Sequence, residues 1–188
     1  TTIGHGLNSP PEVVIRKNLC TSDWAFDTTA IDGSFDYLFL NTAAQKANHT
    51  SLSAPTSTVF STGGTAFNSS SMIAYCWHSV SGESSISTYE GDGTNDYSKE
   101  ITGLGFDPSF VMVKNVDSSG SNWEIIDTAR GGGNNLYANE AYSENANSPS
   151  SYGSGKFITD GFEVARGSVS SSVHWNKSGD TYIYMAFK

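Results

Sequence analysis

The chain repeats itself. Val13-Val14-Ile15-Arg16-Lys17-Asn18 is echoed by Phe110-Val111-Met112-Val113-Lys114-Asn115, and Leu38-Phe39-Leu40-Asn41-Thr42-Ala43 by Leu136-Tyr137-Ala138-Asn139-Glu140-Ala141. Between these blocks Trp24 answers to Trp123 and Thr29-Ala30 to Thr128-Ala129. Gly6-Leu7 and Pro11 precede the first block as Gly103-Leu104 and Pro108 precede its echo; residues 59–63 match 157–161, and 72–77 match 182–187. The order is the same in both halves, and the offset holds at 97–99 positions until the last block, where the second half is longer between Ala165 and Trp175. Self-similarity of this kind marks a supersecondary unit that buries its apolar face against its twin. Copy one is expected over residues 1–81, lacking its N-terminal portion, and copy two over 82–188 with a leading strand and a connection. Units this small and this sparing in charge should pack intimately, even as a single domain.

The repeated blocks are short apolar runs rich in Val, Ile, Phe, Tyr and Trp, separated by Gly, Pro, Asn and Ser, which is the signature of strands and turns. Residues 13–15 and 111–113 are continuously apolar and suit inner strands covered on both faces. Residues 182–187 read as a core strand, whereas 43–53 lack a clean helical period and allow a helical turn at most. The predicted fold is all-β, a jelly-roll-like β-sandwich built from two tandem copies of one β-unit. Trp24 and Trp123, at matched points, are expected to fill matched core positions.

Charge excludes some partners. With 10 Lys+Arg against 19 Asp+Glu and a net charge of -9, there is no basic cluster to neutralise nucleic-acid phosphates or to dock on anionic lipid. No apolar run reaches the roughly 18–20 residues of a membrane span, so no membrane insertion is expected. Cys20 and Cys76 lack metal-ligand spacing and are read as free, buried thiols. The opening Thr1-Thr2-Ile3-Gly4 reads as the interior of a longer polypeptide, or as the start of a processed or cut fragment.

Chemistry is harder to locate. His5, His49, His78 and His174 are scattered, with no pair at ligand spacing, which leaves zinc unsupported. No serine sits in a nucleophile elbow, and 130–135 is Gly-rich without the Lys-Ser/Thr of a phosphate cradle. Asp27, Glu124, Asp127 and Glu163 are available for glycoside hydrolysis. However, Glu124 aligns with Ala25 and Asp127 with Thr28, so neither acid is reproduced in copy one. The expectation is a non-enzyme without a cofactor. Glu90, Asp92 and Asp96 lie in a Gly-rich acidic turn and are the calcium candidates, although the same residues meet the needs of a β-turn. Function should sit where the copies differ, because matched strands are scaffold. Tyr89, Tyr97, Tyr142, Tyr152 and Trp175 are therefore the candidates for ligand or subunit contact.

The pattern Gly-Leu-x-x-x-Pro, an apolar strand ending in Lys-Asn, then Trp, then Leu-x-x-Asn-x-Ala, closing on Tyr182-Ile183-Tyr184-Met185-Ala186-Phe187, resembles a repeated β-domain of structural proteins in tailed bacteriophages, marine phages among them. Tyr89-x-Gly91-x-Gly93 and Gly105-Phe106-x-Pro108 belong to the same resemblance. It implies a virion protein, an extracellular particle component that partners other virion subunits as a homo-oligomer. The expected role is a tail-fibre or receptor-binding segment contacting cell-surface glycan. The alternatives are a purely architectural capsid-decoration or extracellular-filament subunit, and, less favoured, a carbohydrate-active hydrolase.

Overall fold

In the computed structural model, the described residues are 1–19, 22–63, 71–95, 97, 99–131, 134–144, 153–167 and 175–188. Among them every regular element is a strand, and all pairing is antiparallel. The apolar run Val13-Val14-Ile15 is buried, and β2 (Val13–Asn18) is an inner strand between β3 (Trp24–Thr28) and β7 (Met72–Trp77). With β4 (Asp36–Phe39) and β5 (Ala47–Asn48) these strands form a five-stranded sheet in the order β5-β4-β3-β2-β7. Three hairpin-linked strands and a later one returning beside the first make a Greek key. The remaining strands of this half, β1 (Thr2–Gly4) and β6 (Val59–Ser61), pair with each other.

The second half contains β8 (Ser84–Glu90), β9 (Lys99–Thr102), β10 (Phe110–Asn115), β11 (Glu124–Asp127), β12 (Leu136–Tyr137), β13 (Gly153–Ile158), β14 (Gly161–Arg166) and β15 (Thr181–Phe187). Its five-stranded sheet runs β12-β11-β10-β15-β8, and a three-stranded sheet runs β13-β14-β9. The registers of the two large sheets coincide. β2 meets β7 through Val13↔Trp77 and Asn18↔Met72, as β10 meets β15 through Phe110↔Phe187 and Asn115↔Tyr182. Val13↔Thr28 corresponds to Phe110↔Asp127, and Phe26↔Leu38 to Ile125↔Leu136. Strand-flanking bonds recur too: Glu12 N–H donates to Trp77 O and Ser109 N–H to Phe187 O, both at 2.8 Å.

One block departs from the sequence match. β6 pairs with β1 through Ile3↔Phe60, and β14 pairs with β9 through Ile101↔Phe162. The strand in β6's place is thus β14, whereas residues 157–161 hold the end of β13 and its turn. Two successive apolar hairpin arms look alike over so few residues, and only pairing separates them. Residues 43–53 form no helical turn. They hold β5 and reach the other half through Lys46 N–H to Val116 O at 2.9 Å and Gly120 N–H to Ala43 O at 2.8 Å.

Period-two alternation sends successive side chains of a strand to opposite layers. Val13, Ile15, Phe26 and Leu38 of the first sheet close on Ile86, Met112, Trp123, Ile183 and Met185 of the second, giving the sandwich core. The other face of the second sheet, with Val111, Val113, Tyr182 and Tyr184, packs on Ile101, Phe162 and Val164 of the three-stranded sheet. Gly155 permits the close approach there, since a Cβ would meet Trp175 Cζ3 at 2.8 Å. Cys76 is a half-buried free thiol, short of the full burial expected, and Cys20 lies outside the described residues.

Lys114 is buried completely, its Nζ donating to Asn115 O at 2.8 Å, and burial brings its pKa down to about 8. An unfolded lysine titrates near 10.4, about 1.4 kcal/mol per unit of difference. Between those values the unfolded chain binds more protons, so stability rises with pH. Below pH 8 both states are charged and the penalty is constant. Burial raises the phenol pKa values of Tyr89 and Tyr182, which lowers stability again once unfolded tyrosines ionise above about pH 10. Urea unfolding should therefore show a gain of about 2 kcal/mol from pH 8 to 10. Lys114→Met should remove that rise and bring the gain to pH 7. A flat profile in the unaltered chain would show that the ammonium stays hydrated.

Candidate functional site

The matched tryptophans open β3 and precede β11, and the same device holds each backbone. Trp24 N–H donates to Asn41 Oδ1 and Trp123 N–H to Asn139 Oδ1, both at 2.8 Å. Each asparagine also donates Nδ2 to a neighbour, Asn41 to Asp23 Oδ1 at 2.9 Å and Asn139 to Asn122 Oδ1 at 2.7 Å. The rings part company. Trp123 is 1% exposed, its centroid 4.7 Å from that of Phe26, and its Nε1 donates to Phe39 O at 2.9 Å. Trp24 is 36% exposed. The expectation of two core tryptophans is therefore corrected for Trp24, which stands at the end of the inter-sheet face with nothing comparable closing over it among the described residues.

Trp24, Leu40 and Asn41, with Ala138 of the other half, line an open cavity of about 340 Å³. Asp23 and Asn41 are both solvent-exposed. An exposed indole face beside an amide and a carboxylate can stack on the C–H face of a sugar ring while the polar pair meets its hydroxyls. Sequence reasoning missed this rim because Trp24 reads like its buried twin; the one available signal was Asp23 where copy two has Asn122.

The predicted contact residues scatter. Tyr89 and Trp175 are core: the Tyr89 hydroxyl donates to Trp175 O at 2.7 Å and its ring stacks on Tyr182 at 4.9 Å, while Trp175 donates Nε1 to Glu124 Oε2 at 2.6 Å. Both are corrected as contact residues, since their polar ends are satisfied inside the protein. Tyr97 is on the surface, its hydroxyl against Ser154 Oγ and its ring 5.9 Å from Lys156 Nζ. Tyr142 is exposed and edge-on to Tyr137 at 5.8 Å. Neither lines the Trp24 cavity, and Tyr152 lies outside the described residues.

The calcium candidates form a closed turn. Asp92 Oδ1 accepts from Thr94 N–H at 3.0 Å, Thr94 Oγ1 at 2.8 Å and Asn176 Nδ2 at 2.9 Å. Partial burial pushes its pKa up, but those bonds outweigh it and leave the carboxyl below its ordinary value. Glu90 is exposed, Asp96 lies outside the described residues, and among the described residues no three His, Cys, Asp or Glu side chains gather to hold a metal. The carboxylates considered for hydrolysis are engaged elsewhere: Asp127 with Arg130, Glu163 with Lys156 at 3.3 Å, Asp27 with Arg16 and His49, and Glu124 with Trp175 and Asn135. The Arg16–Asp27–His49 cluster, buried but for its half-buried histidine, and the buried Glu124–Trp175–Asn135 cluster had no sequence signal, because their bonded members are 11 to 51 residues apart.

Over residues 1–188 the chain matches the model of a family described as a domain of unknown function, DUF7483. No curated protein and no solved structure matches it.

Proposed function

This chain belongs to the DUF7483 family, and we propose that it is a non-enzymatic structural module of a virion, a tail-fibre or receptor-binding segment that contacts cell-surface glycan at the rim around Trp24. The carrying observation is the unequal fate of two matched tryptophans. Their backbones are locked identically, yet one indole is spent on the core and the other faces solvent beside Asp23 and Asn41. A ring exposed while its scaffold is retained is one that the scaffold presents. The virion setting rests on the resemblance of the repeated motifs to tailed-bacteriophage structural proteins, and the acidic surface suits a neutral polyhydroxyl ligand better than a phosphate-rich one.

A glycan array followed by calorimetry tests the reading. Trp24→Ala should weaken binding at least tenfold, equivalent to about 1.4 kcal/mol, and Asp23→Ala should weaken it less. Tyr142→Ala should leave it unchanged. A chain that assembles with other subunits but binds no glycan would transfer the assignment to the architectural role, and glycan binding indifferent to Trp24→Ala would move the contact surface elsewhere.

A further inference from the structure

Among the described residues β7 is an edge strand of its sheet. On its inner side Trp77 O accepts Glu12 N–H at 2.8 Å and Ser71 O accepts Leu19 N–H at 3.2 Å, both toward β2. Bonding sides alternate residue by residue in an antiparallel ladder, so the backbone groups of Met72, Ala74 and Cys76 point outward. Among the described residues no strand takes them. The side chains are uncovered as well. Ile73 and Tyr75 are 40% and 42% exposed. On the other face Met72, Ala74 and Cys76 join Ile3 and Phe60 around a cavity of about 290 Å³ between β7 and the β1–β6 pair.

The second half shows what occupies such an edge. β15 sits on β10 in the register of β7 on β2, and its outer side carries β8 through Tyr182↔Tyr89, Tyr184↔Ser87 and Ala186↔Ser85. Ile183 and Met185, the counterparts of Ile73 and Tyr75, are 1% and 3% exposed. Tyr89 fills the space between sheets, stacked on Tyr182 at 4.9 Å and edge-on to Phe162 at 6.2 Å. Met72 stands in the place of Tyr182, Ala74 in that of Tyr184 and Phe60 in that of Phe162. The cavity beside β7 is the place of Tyr89 without its ring.

We propose that the outer edge of β7 is an acceptor site for an extended peptide strand of the β8 type, donated by polypeptide outside residues 1–188. Its aliphatic residue at the Ile86 position covers Ile73 and Tyr75, and its aromatic residue at the Tyr89 position enters the cavity. Strand addition of this kind draws affinity from main-chain bonds and specificity from alternate side-chain pockets, and it removes an exposed apolar edge that would otherwise invite aggregation. The proposal is independent of glycan binding at Trp24.

The probe is a synthetic peptide with the sequence of residues 82–91, Gly82-Glu83-Ser84-Ser85-Ile86-Ser87-Thr88-Tyr89-Glu90-Gly91, added to the 188-residue chain. Calorimetry should show saturable one-to-one binding. Alkylation of Cys76, resolved from Cys20 by mass spectrometry, should slow about tenfold on saturation, and the peptide carrying Tyr89→Ala should bind about tenfold more weakly. Ala74→Pro deletes an outward N–H at an edge, where proline is tolerated, and should abolish binding in a chain with unaltered near-ultraviolet circular dichroism. If that variant does not fold, the altered peptide still decides, because it leaves the protein untouched. Absence of binding, equal affinity of the two peptides, or binding without protection of Cys76, as displacement of β8 from β15 would give, overturns the proposal. So does self-association of the unaltered chain that Ala74→Pro abolishes, which would assign the edge to a second copy.

Discussion

Trp123→Ala is expected to cost about 3–5 kcal/mol of unfolding free energy, the range for removing a large aromatic side chain from a packed core. The indole is buried between the two five-stranded sheets, and its loss deletes the contact with Phe26 and removes the shorter of two hydrogen bonds to Phe39 O, leaving that from Thr42 N–H at 3.3 Å. For a chain of this size the loss corresponds to a fall in Tm of roughly 10 °C. Trp24→Ala, at the matched position, should cost about 1 kcal/mol, the centre of the range for ordinary substitutions, because its ring is partly in water. Both values come from urea unfolding followed by circular dichroism. Equal losses would mean that Trp24 is packed as Trp123 is, and would remove the basis for placing a binding rim there.

The second large effect is electrostatic. Asp27→Ala should cost about 3–5 kcal/mol, because it strands a buried guanidinium. Arg16 donates to Asp27 through Nε and, at 3.0 Å, through Nη2 to Oδ1, and His49 Nε2 lies 2.8 Å from the same oxygen. Both Arg16 and Asp27 are almost completely buried. The second half of the chain supplies the control. Val113 occupies the place of Arg16 and Ile126 that of Asp27, in the same register. The double variant Arg16→Val/Asp27→Ile installs that apolar pair and should lie within about 1 kcal/mol of the unaltered chain, since a well-packed apolar pair replaces a buried ion pair at little net cost. The double-mutant cycle closed by the single variants Arg16→Val and Asp27→Ile, each of which also leaves one charge buried and unpaired, should thus give a coupling energy of at least about 2 kcal/mol. Losses that simply add would show that the two charges act independently.

The strands were legible because they depend on short-range pattern. Continuous apolar runs at 13–15 and 111–113 became inner strands, and the shared Lys-Asn endings marked blocks that prove to have the same register. Where two local patterns compete, legibility ends. The sequence points from residues 59–63 to 157–161, whereas pairing with β1 and β9 points to β14. The candidate site was less legible still. Tyr89 and Trp175 read as contact residues because each stands in a segment where the two halves differ, but within the core they are hydrogen-bonded to each other, with Tyr89 stacked on Tyr182 and Trp175 bonded to Glu124.

Sequence alone determined that the fold is all-β, where most strands lie, and which residues share a face, because alternation along an extended backbone is a local property. Tertiary structure decided exposure. Trp24 and Trp123 have the same backbone lock, and β7 and β15 the same register, yet one of each pair is open to solvent and the other is covered. The covering groups, Phe26 and Phe39 over Trp123 and β8 over β15, come from parts of the chain 84 or more residues away. Burial is set by what packs across a layer, and no pattern within a strand records which neighbour will arrive there.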